Sequence, residues 1–376
     1  MAKIVLHAIP FCYGPASVAL RLARGLSARG HAVRLLASGT VAELATLSAA
    51  SFQYADDSVE ECAAWAEIFC CICDPDMYLA WPSSYSRKIY LDFLYFMPFP
   101  DTSPPEAKAD LYLIENYPGV FSALANRHWR PTNFSLIPPL IELPSSPLAP
   151  PDISKPGCEV LLTFGGTESF LTQVGVNTDY PMLMLSIVEQ ALTQALPGAN
   201  LRIATSSAAC EAISKACGSH LRCESFGHQA FLEIVENSDL VIAHPGLYTV
   251  FETVRRGRPL ILLPPSNYTQ VIQLHHYIEL GLASQELEWN NLLREHSVLL
   301  DLPEKAGVAS VLQAIRQFGM HIDSQVRLRA VLTEQIGNIL ENLPGTTERQ
   351  ATALASFAGD GLPYAIAAIE NVLRDI

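Results

Sequence analysis

Seven prolines fall within residues 138–156, Pro-Pro-Leu-Ile-Glu-Leu-Pro-Ser-Ser-Pro-Leu-Ala-Pro-Pro-Asp-Ile-Ser-Lys-Pro. Proline lacks a backbone N–H and fixes φ, so this stretch can be neither a regular helix nor a central strand. It reads as a linker, and it cuts a chain of 376 residues into two parts. At about 150 residues per domain, that length accommodates two to three domains.

Short aliphatic runs alternate with helical patterns on both sides of the linker. Before it, strands are predicted at Lys3–Ala8, His31–Ser38, Glu67–Cys73, Lys88–Leu94 and Asp110–Glu115, with a helix over Ala16–Arg29. After it, strands are predicted at Glu159–Phe164, Asn200–Thr205, Leu221–Glu224, Leu240–His244 and Leu260–Leu263. Helices are expected between them near Met182–Leu196, Ala208–Ala216, Phe231–Val235 and Tyr248–Arg256, and then at Gln270–Leu280. Such alternation builds βαβ units and parallel sheets. The expected fold class is therefore α/β, with two Rossmann-like doubly wound domains. Residues from about Ser324 onward read as largely helical, with a break at Leu343-Pro344-Gly345.

Composition narrows the class of partner. Hydrophobic residues are 49% of the chain and charged ones 16%, enough apolar surface for substantial cores. A net charge of −14 repels a phosphate backbone, so no nucleic acid partner is expected. The apolar stretch before Pro10 is too short for a signal sequence, and no run approaches the ~18 apolar residues of a membrane span. The expectation is a soluble, cytoplasmic protein with no integral membrane segment. Nine cysteines are scattered through apolar segments, as suits buried reduced thiols. The Cys-x-x-Cys spacing at Cys70 and Cys73 has no second pair, so no metal site is expected.

In open α/β sheets ligands bind beyond the carboxyl ends of the strands. Four loops stand there. Phe164-Gly165-Gly166-Thr167 follows the first strand of the second domain, where paired glycines allow a ligand close to the backbone. In His244-Pro245-Gly246-Leu247-Tyr248-Thr249 a strand runs through a turn into a helix, whose first N–H groups and dipole suit a diphosphate. Glu252 lies about one turn further on, where its carboxylate can accept from ribose hydroxyls. Pro264-Pro265-Ser266-Asn267-Tyr268-Thr269-Gln270 presents polar side chains that can reach a sugar or cap a helix. The fourth loop, Pro10-Phe11-Cys12-Tyr13-Gly14, comes after the first strand.

The segment Ser238–Ala283, SDLVIAHPGLYTVFETVRRGRPLILLPPSNYTQVIQLHHYIELGLA, resembles the nucleotide-sugar signature of GT-B glycosyltransferases. Its likeness is to the branch holding the peptidoglycan GlcNAc-transferase and the UDP-glycosyltransferases. The pattern falls on His244, Gly246, Thr249, Glu252, Gly257, Pro259, Pro264 and Gln270, and Phe164–Thr167 matches the loop after the interdomain linker. The resemblance implies two domains facing across a cleft: residues 1–140 for the acceptor, a linker at 141–156, and 157–350 for the donor. It also implies a C-terminal helix within 351–376 that packs back on the N-terminal domain. The donor site would comprise Gly165, Gly166, Thr167, His244, Gly246, Leu247, Tyr248, Thr249, Glu252, Ser266, Asn267 and Gln270. Helix end and His244 would stabilise the leaving diphosphate, Glu252 hold the ribose, and Gln270 with Ser266 and Asn267 position the sugar.

The activity implied by this resemblance is that of a glycosyltransferase carrying sugar from a nucleoside diphosphate, UDP foremost, to a small-molecule acceptor, with no cofactor and no metal. A homodimer is held open. The segments at Asp74–Trp81, Tyr90–Pro98 and Asp110–Gly119 also resemble a GT-B subgroup related to cytosylglucuronate synthases.

The acceptor side departs from the pattern, because the loop after the first strand carries no histidine. His7 lies inside the strand, and Cys12 and Tyr13 occupy the loop. Candidates for the catalytic base are Asp92, Tyr13 and His7. Asp92 stands in an apolar strand where burial would raise its pKa; Glu115 and Asp74 sit at comparable strand ends. Phe11, Cys12, Gly14 and Glu115 are the expected acceptor-binding residues, and Trp81, Tyr95 and Phe96 favour a flat or apolar acceptor. The missing histidine leaves two alternatives open: a nucleotide-sugar hydrolase or epimerase, and a catalytically silent nucleotide-sugar-binding protein.

Overall fold

Val5 and Leu6, Phe69 and Cys70, Leu113 and Ile114 are all buried, although neighbours along a strand point to opposite faces. Both faces of the sheet that holds them are therefore covered, as parallel sheets require. The structure is a computed structural model that describes residues 1–48, 53–54, 58–82, 86–98, 103–166, 179–217, 221–293 and 296–374. Its chain divides into two units, Met1–Glu142 with Phe357–Ile376, and Leu143–Ser356.

The first unit holds seven strands: β1 (Lys3–Ala8), β2 (Ala32–Leu36), β3 (Gln53–Tyr54), β4 (Ile68–Ile72), β5 (Arg87–Asp92), β6 (Leu111–Glu115) and β7 (Phe134–Ile137). They lie in the order β3-β2-β1-β4-β5-β6-β7, every pair parallel. The chain winds outward from β1 to β3, then crosses back to β4. Its switch point therefore lies between the carboxyl ends of β1 and β4, where a ligand crevice forms in such sheets.

The helix Gly14–Ala28 comes after β1, with a proline in its first turn, where a missing N–H costs nothing. Against it packs the C-terminal helix Leu362–Arg374. A Cβ on Gly25 would stand 2.7 Å from Ile366 Cδ1, so the two helices approach closely here and a larger residue would push that side-chain end aside. Arg21 donates to Asp360 at 2.8 Å and Arg29 donates to Glu370 at 3.0 Å, so the two helices are also joined by charge.

In the second unit β8 (Glu159–Gly165), β9 (Asn200–Thr205), β10 (Arg222–Glu224), β11 (Leu240–Ala243) and β12 (Leu260–Leu262) form a parallel sheet in the order β10-β9-β8-β11-β12. Here the switch point lies between β8 and β11. The proline-rich segment from Leu143 onward belongs to this unit and is held by its side chains. Asp239, just before β11, accepts from the N–H groups of Asp152 (3.0 Å) and Glu159 (2.8 Å) and pairs with Lys155 (2.8 Å). Burial pushes the Asp239 carboxyl up, but Lys155 and the two N–H donors outweigh it, and the net shift is downward.

Helices Ile322–Glu341 and Leu343–Ala353 meet at Asn342, whose side chain accepts from Gly345 N and caps the second. The Leu-Pro-Gly sequence therefore starts a helix there. No described helix is long and apolar enough to cross a membrane.

Candidate functional site

β8 and β11 run side by side, Thr163 opposite Ala243, so the turns at their carboxyl ends are neighbours. At the end of β8 the register breaks between Thr163 and Gly165, and Gly165 takes a φ of +57°, a conformation that favours glycine. Thr163 Oγ1 accepts from Gly165 N at 3.3 Å, and Thr205 Oγ1 donates to the Gly165 carbonyl at 3.1 Å. The turn is thus pinned by two hydroxyls from the sheet. Thr167 lies outside the described residues.

His244 comes directly after β11. Its imidazole lies 3.5 Å from where a Cβ on Gly165 would stand and 3.3 Å from where one on Gly246 would stand. Two glycines therefore flank one ring. Gly246 has an ordinary φ of −81°, so close approach to His244 is what calls for glycine there, not backbone conformation. Gly246 is the cap of helix Leu247–Arg255 and offers no side chain to its first N–H groups. The N–H groups of this first turn stand at the positive end of the helix dipole. Burial drops the His244 pKa to about 4, so the ring is neutral near pH 7 and contributes one N–H donor rather than a charge.

The proline loop after β12 is held from outside by aromatic donors. Tyr180 Oη donates to the Pro264 carbonyl, and Trp289 Nε1 to the Pro265 carbonyl at 3.0 Å. Asn267 Oδ1 accepts from Gln270 N at 3.0 Å and caps helix Tyr268–Glu279. Gln270 Oε1 in turn accepts from both the N–H (2.8 Å) and the hydroxyl (2.9 Å) of Ser266. Ser266, Asn267 and Gln270 thus form one polar knot at the start of this helix. Tyr277, further along it, donates to the Gly246 carbonyl at 3.4 Å and ties the helix to the His244 turn.

Glu252 is buried, with Oε1 3.3 Å from Nε2 of His228. Sequence alone singles out neither His228 nor the clamps Tyr180, Trp289 and Tyr277.

In the first unit the residues at the β1–β4 switch point are largely engaged. His7 Nε2 lies 2.8 Å from Asp74 Oδ2 and Nδ1 3.1 Å from the Leu36 carbonyl, so neither ring nitrogen is open to take a proton from an acceptor. Asp74 also accepts from Met77 N at 3.0 Å and caps the helix Pro75–Ala80. Burial pushes its carboxyl up, the His7 hydrogen bond and the cap pull it down, and the net shift is downward. Phe11, Cys12, Tyr13 and Gly14 are half-buried in the loop after β1. Cys12 (φ 54°) and Cys73 (φ 52°), just beyond β1 and β4, are the two described non-glycine residues with positive φ. Such conformations cost free energy and gather where a fold constrains a site.

Three sequence expectations change here. Asp92 is pushed up by burial, but it is 2% exposed and its carboxylate receives Tyr112 Oη and Leu94 N, both at 2.7 Å. It braces the sheet from inside, with both donors at its carboxylate supplied by the protein. Glu115 is fully buried and accepts from Leu140 N at 2.8 Å, so it latches the chain as it leaves the unit. Trp81 and Tyr95 belong to the core: Trp81 stacks on Phe69 at 3.8 Å, and Tyr95 carries the Arg127 guanidinium on its face at 3.7 Å. Cys70, Cys71 and Cys73 are buried, Cys71 donating to the Asp74 carbonyl. Among the described residues no group of three His, Cys, Asp or Glu is arranged to hold a metal ion.

Two parallel doubly wound units, with a glycine turn and a helix end at the switch point of the second, define the GT-B fold of glycosyltransferases. Solved structures agree. The glycotransferase of kitacinnamycin superposes with a TM-score of 0.52 at 16% identity, over 99% of this chain and 98% of that one. Anabaena HepE in complex with UDP and glucose gives 0.52 at 14% identity, over 100% of both chains. Acinetobacter baumannii MurG gives 0.51 at 13% identity, over 99% of this chain and 100% of that one. At these identities the likeness is one of fold. No family model matches the chain, and no curated protein matches its sequence.

Proposed function

We propose that this protein is a glycosyltransferase that takes a sugar from a nucleoside diphosphate, UDP foremost, and passes it to a small-molecule acceptor without a metal ion. One observation carries the reading: the His244 ring lies between Gly165 and Gly246, where the Leu247–Arg255 helix begins. In this reading the helix dipole end, its first-turn N–H groups and a neutral imidazole N–H act together on a bound anion. They would offset the charge that grows on the leaving diphosphate, the task a divalent ion performs elsewhere. An acidic chain can bind a diphosphate in this way without a cluster of lysines. Glu252 accepts from the ribose hydroxyls, and the Ser266–Asn267–Gln270 knot presents the sugar. The UDP and glucose held by HepE, a protein of the same fold, support a donor of this kind.

Titrating UDP, GDP, dTDP and CDP into the protein while following thermal unfolding tests the donor site. A bound diphosphate at 100 times its Kd stabilises by about 2.7 kcal/mol. No shift with any of the four rejects the proposal. Turnover that persists in EDTA is expected, and its loss on chelation rejects the metal-free mechanism.

A second reading has its own observation. His7, Asp92 and Glu115, the carboxylates and imidazole nearest in kind to a general base, are each engaged or enclosed. That favours a silent nucleotide-sugar-binding protein, which would bind UDP and turn over no acceptor.

A further inference from the structure

Glu252 cannot receive a ribose unless its carboxylate is held in one orientation. A glutamate loses up to about 1.5–2 kcal/mol of rotamer freedom when fixed, and a buried carboxylate needs a donor as well. His228 supplies both. It is the first residue of helix His228–Asn237, entered from Gly227, and that helix packs on Leu247–Arg255. The two side chains meet inside this contact, His228 7% and Glu252 3% exposed, with Nε2 and Oε1 3.3 Å apart. Arg256, one turn further along, also joins the two helices: Nε donates to Glu236 Oε1 at 3.0 Å, and a terminal nitrogen donates to the Glu252 carbonyl at 3.3 Å. Arg256 to Glu236 and His228 to Glu252 thus cross-link the helices, and the His228 link reaches the carboxylate expected to meet the donor.

We propose that His228 is a positioning residue for nucleoside recognition: its Nε2–H holds the Glu252 carboxylate in the rotamer that accepts the ribose hydroxyls. His228 thereby sets how strongly the site prefers a hydroxylated ribose to one without those hydroxyls. This rests on reading Gly165, His244, Gly246 and Glu252 as a nucleoside diphosphate site.

The test is a cycle between protein and ligand, measured by calorimetry. Wild type, H228L, H228Q, H228N and E252Q are each titrated with whichever of UDP, GDP, CDP and dTDP the wild type binds best, and with its analogue lacking the sugar hydroxyls. Wild type prefers the hydroxylated ligand by about tenfold or more, the worth of hydrogen bonds to a charged group. In H228L that preference falls to about twofold, while affinity for the analogue stays close to wild type. H228Q, whose amide can donate to the same oxygen, recovers most of the preference, and the shorter H228N recovers less. An undiminished preference in H228L overturns the inference. If H228L does not fold, an undiminished preference in H228N does so instead, because its side chain is too short to span to Oε1. The parent reading fails separately, either when no diphosphate binds or when E252Q keeps the full preference.

Discussion

Gln350 pairs with the backbone of Leu260 as a neighbouring strand would. Its Oε1 accepts from Leu260 N at 3.1 Å and its Nε2 donates to the Leu260 carbonyl at 2.7 Å. β12 is the edge of its sheet, and one amide from helix Leu343–Ala353 covers groups that an edge leaves unpaired. β12 also carries the proline loop on which the Ser266–Gln270 knot depends.

Replacing Gln350 by leucine is expected to leave both groups buried and unsatisfied, at a cost of about 1–3 kcal/mol for each that water cannot reach. Urea unfolding measures it. Q350E, which can accept from Leu260 N but no longer donate to its carbonyl, should fall between wild type and Q350L near neutral pH. Equal stability of all three proteins would show that the pairing contributes nothing.

The pair His7–Asp74 ties β1 to the start of the Pro75–Ala80 helix. Because Asp74 is lowered in the folded state from an ordinary 3.8, its contribution is fully present above about pH 4. It is lost as pH falls through the folded value. D74N is therefore expected to be less stable than wild type by about 1–3 kcal/mol at pH 7. The two stabilities should converge below pH 4, as measured by urea midpoints across that range. A difference that stays constant with pH would show that the charge on Asp74 contributes nothing through either His7 or the helix cap.

Much of the architecture can be read from aliphatic runs, because parallel strands buried on both faces carry no alternation and stand out as such. β1, β9 and β11 lie where those runs are. β7 is not legible in this way, because Phe134–Ile137 is a four-residue edge strand, mostly exposed or half-buried, and too short a run to stand out. The helices at Gly39–Leu47, Val59–Trp65 and Pro75–Ala80 are short and take their stability from tertiary packing, so periodicity hardly marks them.

The site divides in the same way. Gly165, Gly246 and His244 are visible as local motifs, since a turn and a helix start need particular residues in sequence. His228 lies 24 positions before Glu252, and Tyr180 and Trp289 are likewise remote in sequence from the carbonyls they clamp; only the fold brings such partners together. Asp92 is legible in part. An isolated carboxylate in an apolar strand reads as one that burial pushes up, and it is pushed up; its partner Tyr112 on the next strand is supplied by the fold.

Gly165 and Gly246 should respond differently to alanine. At Gly165 the positive φ makes any side chain costly, about 1–2 kcal/mol, so G165A is expected to lower stability. At Gly246 the backbone is ordinary and the new Cβ would meet His244 Nε2 at 3.3 Å. G246A should then keep its stability within about 1 kcal/mol while losing at least about tenfold in diphosphate affinity, since the ring and the helix N–H groups can no longer share one anion. Unfolding curves and calorimetry on the same two preparations separate the effects. Wild-type diphosphate affinity in G246A would remove the His244 turn from the donor site.

His244 also sets a pH dependence of stability whose sign is fixed by burial. Its folded pKa of about 4 lies below the ordinary 6.5, so as pH falls the unfolded chain takes up the proton first. Stability from the neutral ring is therefore fully present above pH 6.5 and lost between pH 6.5 and 4. With 1.36 kcal/mol per pKa unit, the loss over that window is about 3 kcal/mol. H244N has no group titrating there and should show a flatter profile over the same range, even if it is less stable at pH 7. Urea unfolding of both proteins at half-unit steps from pH 7.5 to 4.5 measures the difference in slope. Parallel profiles would mean that His244 is hydrated or paired in solution, and the neutral N–H donor assigned to it at the diphosphate would have to be replaced by a charged one.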